Sequence, residues 1–516
     1  MILPFFKAGE NRTRQQILEW HGVQYGRTSR DGELKESLNL SAREYPALCQ
    51  RRGRMPIDGY EAPTAAFAGD QLVVVDGTTL FYGGKAVGTV RAGEKQIVQV
   101  NSKVCVFPDQ VYYDTATDRF GTMAEDVTIP AGKCKFTTRE LTVTAGPAEG
   151  KTLEDLFAVN QAVEISGASI GENNKTIIVR AVSGNTLTFY ADSFTAGDST
   201  ADVRLRRKMP ELRCVCEAQN RLWGVDDTTI WASAWGDPLT FYNYDGSSTD
   251  SCAISLGTAR QFTGICAYGS NVLIFEENSL IKLMGSEPVD YSLYFYTVPG
   301  VQAGSHKSLQ VVNEVLYYKG AAGVYAYTGA APSLTSECFG TRRFDSARAG
   351  TDGQRYYISM RDSDSGEWGL WVLDTMRGIW LREDGTHVRD FFRPGGALCF
   401  LDDGGGMMEM DRDDGGESRL EWCAELAPFD WTMPERKQYT RLYLQADLDA
   451  GAYVKVELRE DGGVWRQVCI QHAEHRKNIA LPIAPNRCDR LQVRLSGKGR
   501  CLVRQVTREY VIGGRR

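Results

Sequence analysis

No stretch of this chain approaches the eighteen or more consecutive apolar residues of a membrane-spanning helix. A secretory leader is not expected either. "MILPFFKAGENRTRQQ" has six apolar residues and then Lys7, without a basic start, a longer apolar core or a small-residue cleavage site. Histidine is scarce, with five in the chain. His21, His306 and His387 are isolated, and His472 and His475 fall in a strand or turn, where a three-residue spacing does not converge on one ion as it does on a helix. No Walker A loop, dinucleotide fingerprint or nucleophile elbow occurs. The thirteen cysteines are irregularly spaced. Cys105, Cys214, Cys266, Cys399 and Cys469 sit in strand-like runs, where a reduced thiol acts as a small hydrophobe. Cys214 and Cys216 share a strand face but lack a second pair that would complete a zinc site. We therefore expect a chain made in the cytoplasm, with no disulfide framework, metal, cofactor or membrane span.

What is present points to many short strands. Glycine is frequent, at 53 of 516 residues, and aromatics reach 10%. The formal net charge of −7 gives no support for tight nucleic-acid binding, and suits a surface along which a polyanion slides without sticking.

The strongest signal is self-similarity. "GDQLVVVDGTTLFYG" from Gly69, "NSKVCVFPDQVYYD" from Asn101 and "QNRLWGVDDTTIWAS" from Gln219 share one plan with "GSNVLIFEENSLIKL" from Gly269. "VNEVLYYKGAAGVYAY" from Val312 and "GGALCFLDDGGGMMEM" from Gly395 follow it too, and "RYYISMRDSDSGEWGLWVLDT" from Arg355 is a longer-looped version. Two apolar runs around a short Gly, Asp or Asn turn mark a β-hairpin. Leu222 to Val272 spans 50 positions, Val272 to Val315 spans 43, and the next two steps, to Tyr356 and Ala397, span 41 each. A four-stranded propeller blade takes about 40–50 residues. The step from Val104 to Leu222 is 118, and the period returns if about 78 residues are inserted there.

These spacings predict an all-β fold: a six- or seven-bladed β-propeller with an inserted small β-barrel and a C-terminal β-sandwich. The expected divisions are an extended N-terminal arm over 1–60 that orders against a neighbour, a first propeller part over 61–126, the inserted barrel over 127–206, a second propeller part over 207–418, and the sandwich over 419–516.

Candidate chemistry centres on "NRLWGVDDTTIWASAWGDPLTFYN" (220–243). Trp223, Trp231 and Trp235 could stack on sugar, with Asp237 as a catalytic carboxylate. Packing between blades accounts for the same residues, and glycoside cleavage needs a partner carboxylate at a defined distance that no second motif supplies. Repeated S-x-D-x-G-x-x-W turns are absent. "RDSDSGEW" (Asp362, Asp364, Gly366) and "DRDDGGE" (Asp411, Asp413, Asp414) lack the distal glutamate of a calcium loop and read as hairpin tips. Trp422, Trp431 and Trp465 could grip glycan or pack a core. The basic runs "RRGR" (51–54) and "GGRR" (513–516) read as solvated or interface charges. No catalytic, cofactor-binding or metal residue is assigned.

Several segments resemble phage virion proteins related to the tail nozzle and packaged-DNA stabilisation proteins of short-tailed phages. They are "DGELKESLNLSAREYPALCQRRGR" (31–54), "NRLWG…IWASAWGDP" (220–238), "YYKGAAGVYAYTGAAP" (317–332) and "LWVLDTMRGIWLRED" (370–384). The ending "LPIAPNRCDRLQVRLSGKG" (481–499) is similar to the C-terminal segment of such proteins from phages of Gram-positive gut bacteria. The resemblance implies a non-enzymatic structural virion protein of the phage tail, built as a propeller. It implies a homo-oligomeric ring, often a hexamer, below the portal and adaptor and in contact with other tail proteins. Packaged DNA would pass through its lumen without sequence-specific binding until ejection. The alternatives are a tail-tip receptor- or glycan-binding protein and a glycan-cleaving propeller enzyme.

Overall fold

The computed structural model describes residues 12–512 apart from 28–29, 145–149, 191, 245, 258, 413–416, 418–419, 430–435, 474–476 and 484. The chain is nearly all-β, with 54% strand and 3% helix. It divides into two compact units, Tyr60–Leu309 and Met1–Gly59 with Gln310–Arg516.

Four antiparallel four-stranded sheets recur along Tyr60–Leu309. The first runs Pro63–Ala68, Leu72–Asp76, Thr79–Tyr82, Lys85–Thr89, and the second Gln96–Val100, Lys103–Phe107, Val111–Asp114, Arg119–Thr122. The third runs Cys214–Ala218, Arg221–Val225, Thr229–Ala232, Cys252–Ser255, and the fourth Gly264–Tyr268, Asn271–Glu276, Ser279–Met284, Ser292–Tyr296. Each pairs strictly in chain order, so each is a meander. First strands of successive sheets lie side by side, placing them at the inner edge and the fourth strands at the outer.

The repeating hairpins of the sequence are the second and third strands of these sheets. The apolar runs of the second strands are continuous because both strand faces are covered: Val73, Val74 and Val75 are buried, as are Val104–Phe107 and Val272–Phe275. Apolar side chains from neighbouring sheets interleave. Trp223, Val225 and Ile230 of the third sheet pack with Val272, Ile274 and Ile281 of the fourth.

Between the second and third sheets, an eight-stranded sheet occupies Glu125–Arg207. Its core is its own, built on Phe136, Leu141, Val163, Leu187, Phe189 and Leu205. The end strands Glu125–Ile129 and Val203–Arg207 pair with each other, so the insertion leaves and rejoins the chain at one place.

The second unit carries three more four-stranded sheets. The fifth runs Gln310–Val312, Val315–Lys319, Val324–Tyr327, Ser333–Leu334, and the sixth Phe344–Thr351, Arg355–Asp362, Trp368–Asp374, Ile379–Asp384. The seventh takes Val388–Phe392, Cys399–Asp402 and Met407–Arg412, and its fourth strand is Gly53–Pro56. Seven four-stranded sheets are thus present among the described residues.

Two six-stranded sheets complete this unit. One joins Lys437–Leu448, Lys477–Pro482 and Cys501–Ile512, and the other Glu421–Leu426, Ala452–Glu460, Arg466–Ala473 and Leu491–Lys498. Leu442, Leu444, Val454, Val456, Val493 and Val503 are buried in a shared core.

The segment expected as an extended arm is instead folded into its own chain over residues 12–56. Arg12–Ile17, Leu40–Ser41 and Leu48–Gln50 join the first six-stranded sheet, and Gly22–Val23 and Glu33–Leu38 join the second. Pairing satisfies the backbone of these short, charged strands, and Trp20 and Leu34 anchor them in the core. Two arginines of the run "RRGR" are not solvated: Arg51 and Arg54 are buried, with Arg54 Nη2 2.7 Å from Glu383 and Arg51 Nη1 2.8 Å from Glu417, while Arg52 is exposed.

Candidate functional site

The aromatic stretch 220–243 supplies two strands of the third sheet and the link that follows. Trp223 is fully buried; its indole N–H donates to the Ala218 carbonyl at 3.1 Å, and its ring meets Tyr291 edge-on. Trp231 is half-buried, its indole N–H donating to Asp226 at 2.7 Å. Asp226 also accepts the backbone N–H groups of Thr228 and Thr229, each at 2.7 Å. Burial pushes this carboxyl up, but those hydrogen bonds outweigh it and hold it below the ordinary range. Trp235 alone of the three is exposed, at 57%.

Asp237 has no free oxygen directed at a ligand. One accepts the Leu239 N–H at 3.2 Å and the other the Thr240 hydroxyl at 2.8 Å, with the Lys103 ammonium 3.8 Å away. "AWGDP" is therefore a turn closed by its own aspartate, and the residues proposed for sugar contact do not converge on one surface.

A cleft of about 620 Å³ lies at one end of the second and third sheets. Its walls are the segments entering the first strands (Glu94, Lys95, Glu211, Arg213), the turns after the second strands (Pro108, Asp226, Asp227) and His306. In a meander the start of the first strand and the end of the second share one end of the sheet, and this brings these segments together. Lys95 is buried against Asp109, Nζ to Oδ2 at 2.7 Å, with Arg91 on the other oxygen at 2.6 Å. Burial pushes the Asp109 carboxyl up, yet hydrogen bonds and charge from Lys95 and Arg91 prevail and hold it below the usual carboxylate range. Arg213 pairs with Asp227 at 2.7 Å and Lys307 with Glu94 at 3.4 Å. Lys95, Arg213, Asp227 and Glu94 are each neutralised by a partner, giving a polar wall rather than groups aimed at one reacting atom. Sequence reading missed this cleft because no motif links Lys95 to Asp109 or Arg213 to Asp227.

The other candidates are dispersed. Asp362 caps its own turn, accepting from Asp364 and Ser365 N–H at 3.0 Å each, and Asp411 pairs with Arg43. Asp413 and Asp414 lie outside the described residues, as do Trp431 and His475. His387 stacks on Trp368 with ring centroids 3.6 Å apart, and burial lowers its pKa. No group of three or more His, Cys, Asp or Glu is placed to hold a metal ion among the described residues. The thirteen cysteines form no disulfide, and burial pushes the Cys214 thiol up to about 11 and raises the Cys216 thiol as well. Trp422 is buried, while Trp465 packs on Arg459 and Arg494, whose guanidinium carbons stand 4.5 and 4.4 Å from the ring centre. No described helix is long and apolar enough to cross a membrane.

No protein-family model matches the chain, and no curated protein matches it. Among solved structures, an exo-β-1,3-galactanase from Phanerochaete chrysosporium is similar at 8% identity, covering 56% of this chain and 92% of that one, with a TM-score of 0.22. The complex of BBS1N with ARL6DN gives 12% identity, 71% and 98% coverage and a TM-score of 0.31. The endosialidase of phage phi92 gives 10%, 79% and 70%, with a TM-score of 0.21. At these scores none of the likenesses speaks to function.

Proposed function

We propose that the chain is a structural virion protein of a phage tail: a seven-bladed β-propeller that assembles with copies of itself into a ring continuing the DNA exit channel. The observation that carries the propeller is the seventh sheet. It takes three strands from Val388–Arg412 and its fourth from Gly53–Pro56, just ahead of the first sheet at Pro63 in the chain. A strand that belongs to the last sheet and leads into the first is the link that a closed ring of blades requires. The nozzle and connector role rests on the resemblances at 31–54, 220–238, 317–332, 370–384 and 481–499, and it supplies the portal, adaptor and packaged DNA as partners.

The site favours scaffold over catalyst in this reading. The tryptophans at 223 and 422 are spent on packing, and the charges of the cleft are spent on one another. Electron microscopy of particles bearing a tagged chain tests it: a ring on the tail axis is the expected result. Density confined to fibre tips, or capture of cell-wall glycan by the purified chain, would move the assignment to a receptor-binding protein.

A further inference from the structure

The outer edge of the fourth sheet is unlike the others. An unpaired sheet edge offers open N–H and C=O groups, and folded chains blunt such edges with charge, proline, bulges, shortness or a cover. Among the outer strands described, Lys85–Thr89 begins with a lysine and carries a bulge, and Arg119–Thr122 begins with an arginine paired to Asp155. Cys252–Ser255 has four residues and Ser333–Leu334 has two. Ile379–Asp384 is packed against Glu33–Leu38 and ends in three charged residues, and Gly53–Pro56 ends in proline. Ser292–Tyr296, "SLYFY", has no charge, proline or bulge of its own, and the Arg260 guanidinium stands over the Phe295 ring, 5.5 Å from its centre. It is uncharged and regular, and three consecutive aromatics are open to solvent: Tyr294 at 48%, Phe295 at 54% and Tyr296 at 44%. Val289, in the turn leading to it, and Met284, the last residue of the strand before, are exposed as well. Such an apolar edge marks an interaction site.

The chain also holds a segment of matching chemistry. Met1–Phe6, "MILPFF", is uncharged and apolar, and it lies ahead of the first described strand, which begins at Arg12. Eleven residues reach at most roughly 36–40 Å when extended, about twice the length of a five-residue strand. Pro4 fixes how it can pair. In an antiparallel pair, alternate residues direct their N–H and C=O groups at the partner. With Pro4 directed outward, Met1, Leu3 and Phe5 direct theirs inward. The proline then blocks the new outer edge, so addition stops at one strand.

We propose that Ser292–Tyr296 is the docking edge for residues Met1–Phe6 of a neighbouring copy of this chain, which adds to the fourth sheet as a fifth strand. The inference rests on the ring reading above. Donor and acceptor are different surfaces, so the contact is heterologous and generates a ring or a helix rather than a two-fold dimer. Its occupant is one short segment of the region expected as an arm; residues 12–56 are already used within their own subunit.

The test uses the full chain with a photo-crosslinking phenylalanine analogue at position 295, in a mixture of isotopically light and heavy copies. The expected product joins position 295 of one copy to the peptide containing residues 1–6 of another. Deletion of residues 1–11, and separately Tyr294→Lys, should each raise the concentration needed for half-assembly by about tenfold or more, measured by light scattering. Position 294 is exposed, so circular dichroism of Tyr294→Lys should match the parent. Cross-links confined to the same copy, cross-links between two copies of 292–296, or assembly unchanged by the deletion would each overturn the proposal. Rings that persist without residues 1–11 would leave the propeller-ring reading standing, whereas a full chain that stays monomeric at every concentration would remove both.

Discussion

The guanidinium of Arg207 donates to the main-chain carbonyl of Leu156 at 2.6 Å, and so fastens the inserted sheet at its root. The same side chain donates to the carbonyls of Met123 and Thr122, each at 2.9 Å, and to the Gln161 side chain at 3.0 Å. Burial lowers its pKa, with Glu125 at 3.6 Å partly offsetting that. Hydrogen bonds to a charged group contribute about 1.5–3 kcal/mol each when intact, though not additively. Arg207→Ala should therefore cost about 3 kcal/mol or more and loosen the insertion before the sheets around it. Limited proteolysis should show early cleavage within 125–207; a cleavage pattern identical to that of the parent would disprove the clamp.

Trp223 and Trp235 stand in one stretch of sequence and should behave oppositely. Trp223→Ala opens a cavity between the third and fourth sheets and should cost about 3–5 kcal/mol. Trp235→Ala removes an exposed ring and should stay within about 0.5 kcal/mol. Denaturant unfolding compares the two. Equal losses would mean that the third and fourth sheets are not held together by this ring.

Burial explains what could be read in advance. Second strands such as Leu222–Val225 and Val272–Phe275 are covered on both faces, so they appear as continuous apolar runs at a regular spacing. Outer strands lack that signature: Ser333–Leu334 has two residues, and Ser292–Tyr296 is mostly exposed. Nothing local in "GRMP" announces that Pro56 lies opposite Met408, because the pairing is settled by the far end of the chain. Gly22–Val23 and Leu40–Ser41 pair nearby, with Glu33 and Leu34 and with Cys49 and Gln50, but at two residues each they are too short to carry a periodicity of their own. At the site, the packing role of Trp223 could be read from the repeat. The Lys95–Asp109 and Arg213–Asp227 pairs could not, since only the meander brings those segments to one end.

Arg54 joins the strand Gly53–Pro56 to the sixth sheet through buried charge. Its guanidinium lies 2.7 Å from Glu383 and 2.6 Å from Asp384, over the ring of Phe400. Arg54→Ala leaves Glu383 and Asp384 with the more distant Arg51, at 3.9 and 3.7 Å, and should cost about 3 kcal/mol at neutral pH. Burial pushes the Asp384 carboxyl up, but the charge of Arg54 and hydrogen bonds from Thr386 hold it below its unfolded value. Its contribution is therefore complete above the unfolded pKa, about 3.9, and is lost as pH falls through the lower folded value. Denaturation curves from pH 7 down to pH 3 should show the gap between parent and variant narrowing only at the acid end. A constant gap would remove Asp384 from the account.

Lys319 gives the opposite dependence. Its side chain is buried in the second strand of the fifth sheet, and burial pushes the ammonium from 10.5 down to about 8, with Asp345 opposing. Between those values the unfolded chain holds a proton that the folded chain has released, so stability should rise with pH across that window. The full rise is up to roughly 3 kcal/mol, at 1.36 kcal/mol per pKa unit. Lys319→Met keeps the volume and removes the titration. The variant should be at least as stable as the parent at pH 7 and show a flatter profile between pH 8 and 10. Urea unfolding at pH 7, 8, 9 and 10 makes the comparison, and a parent whose stability falls over that range would reverse the sign and refute the prediction.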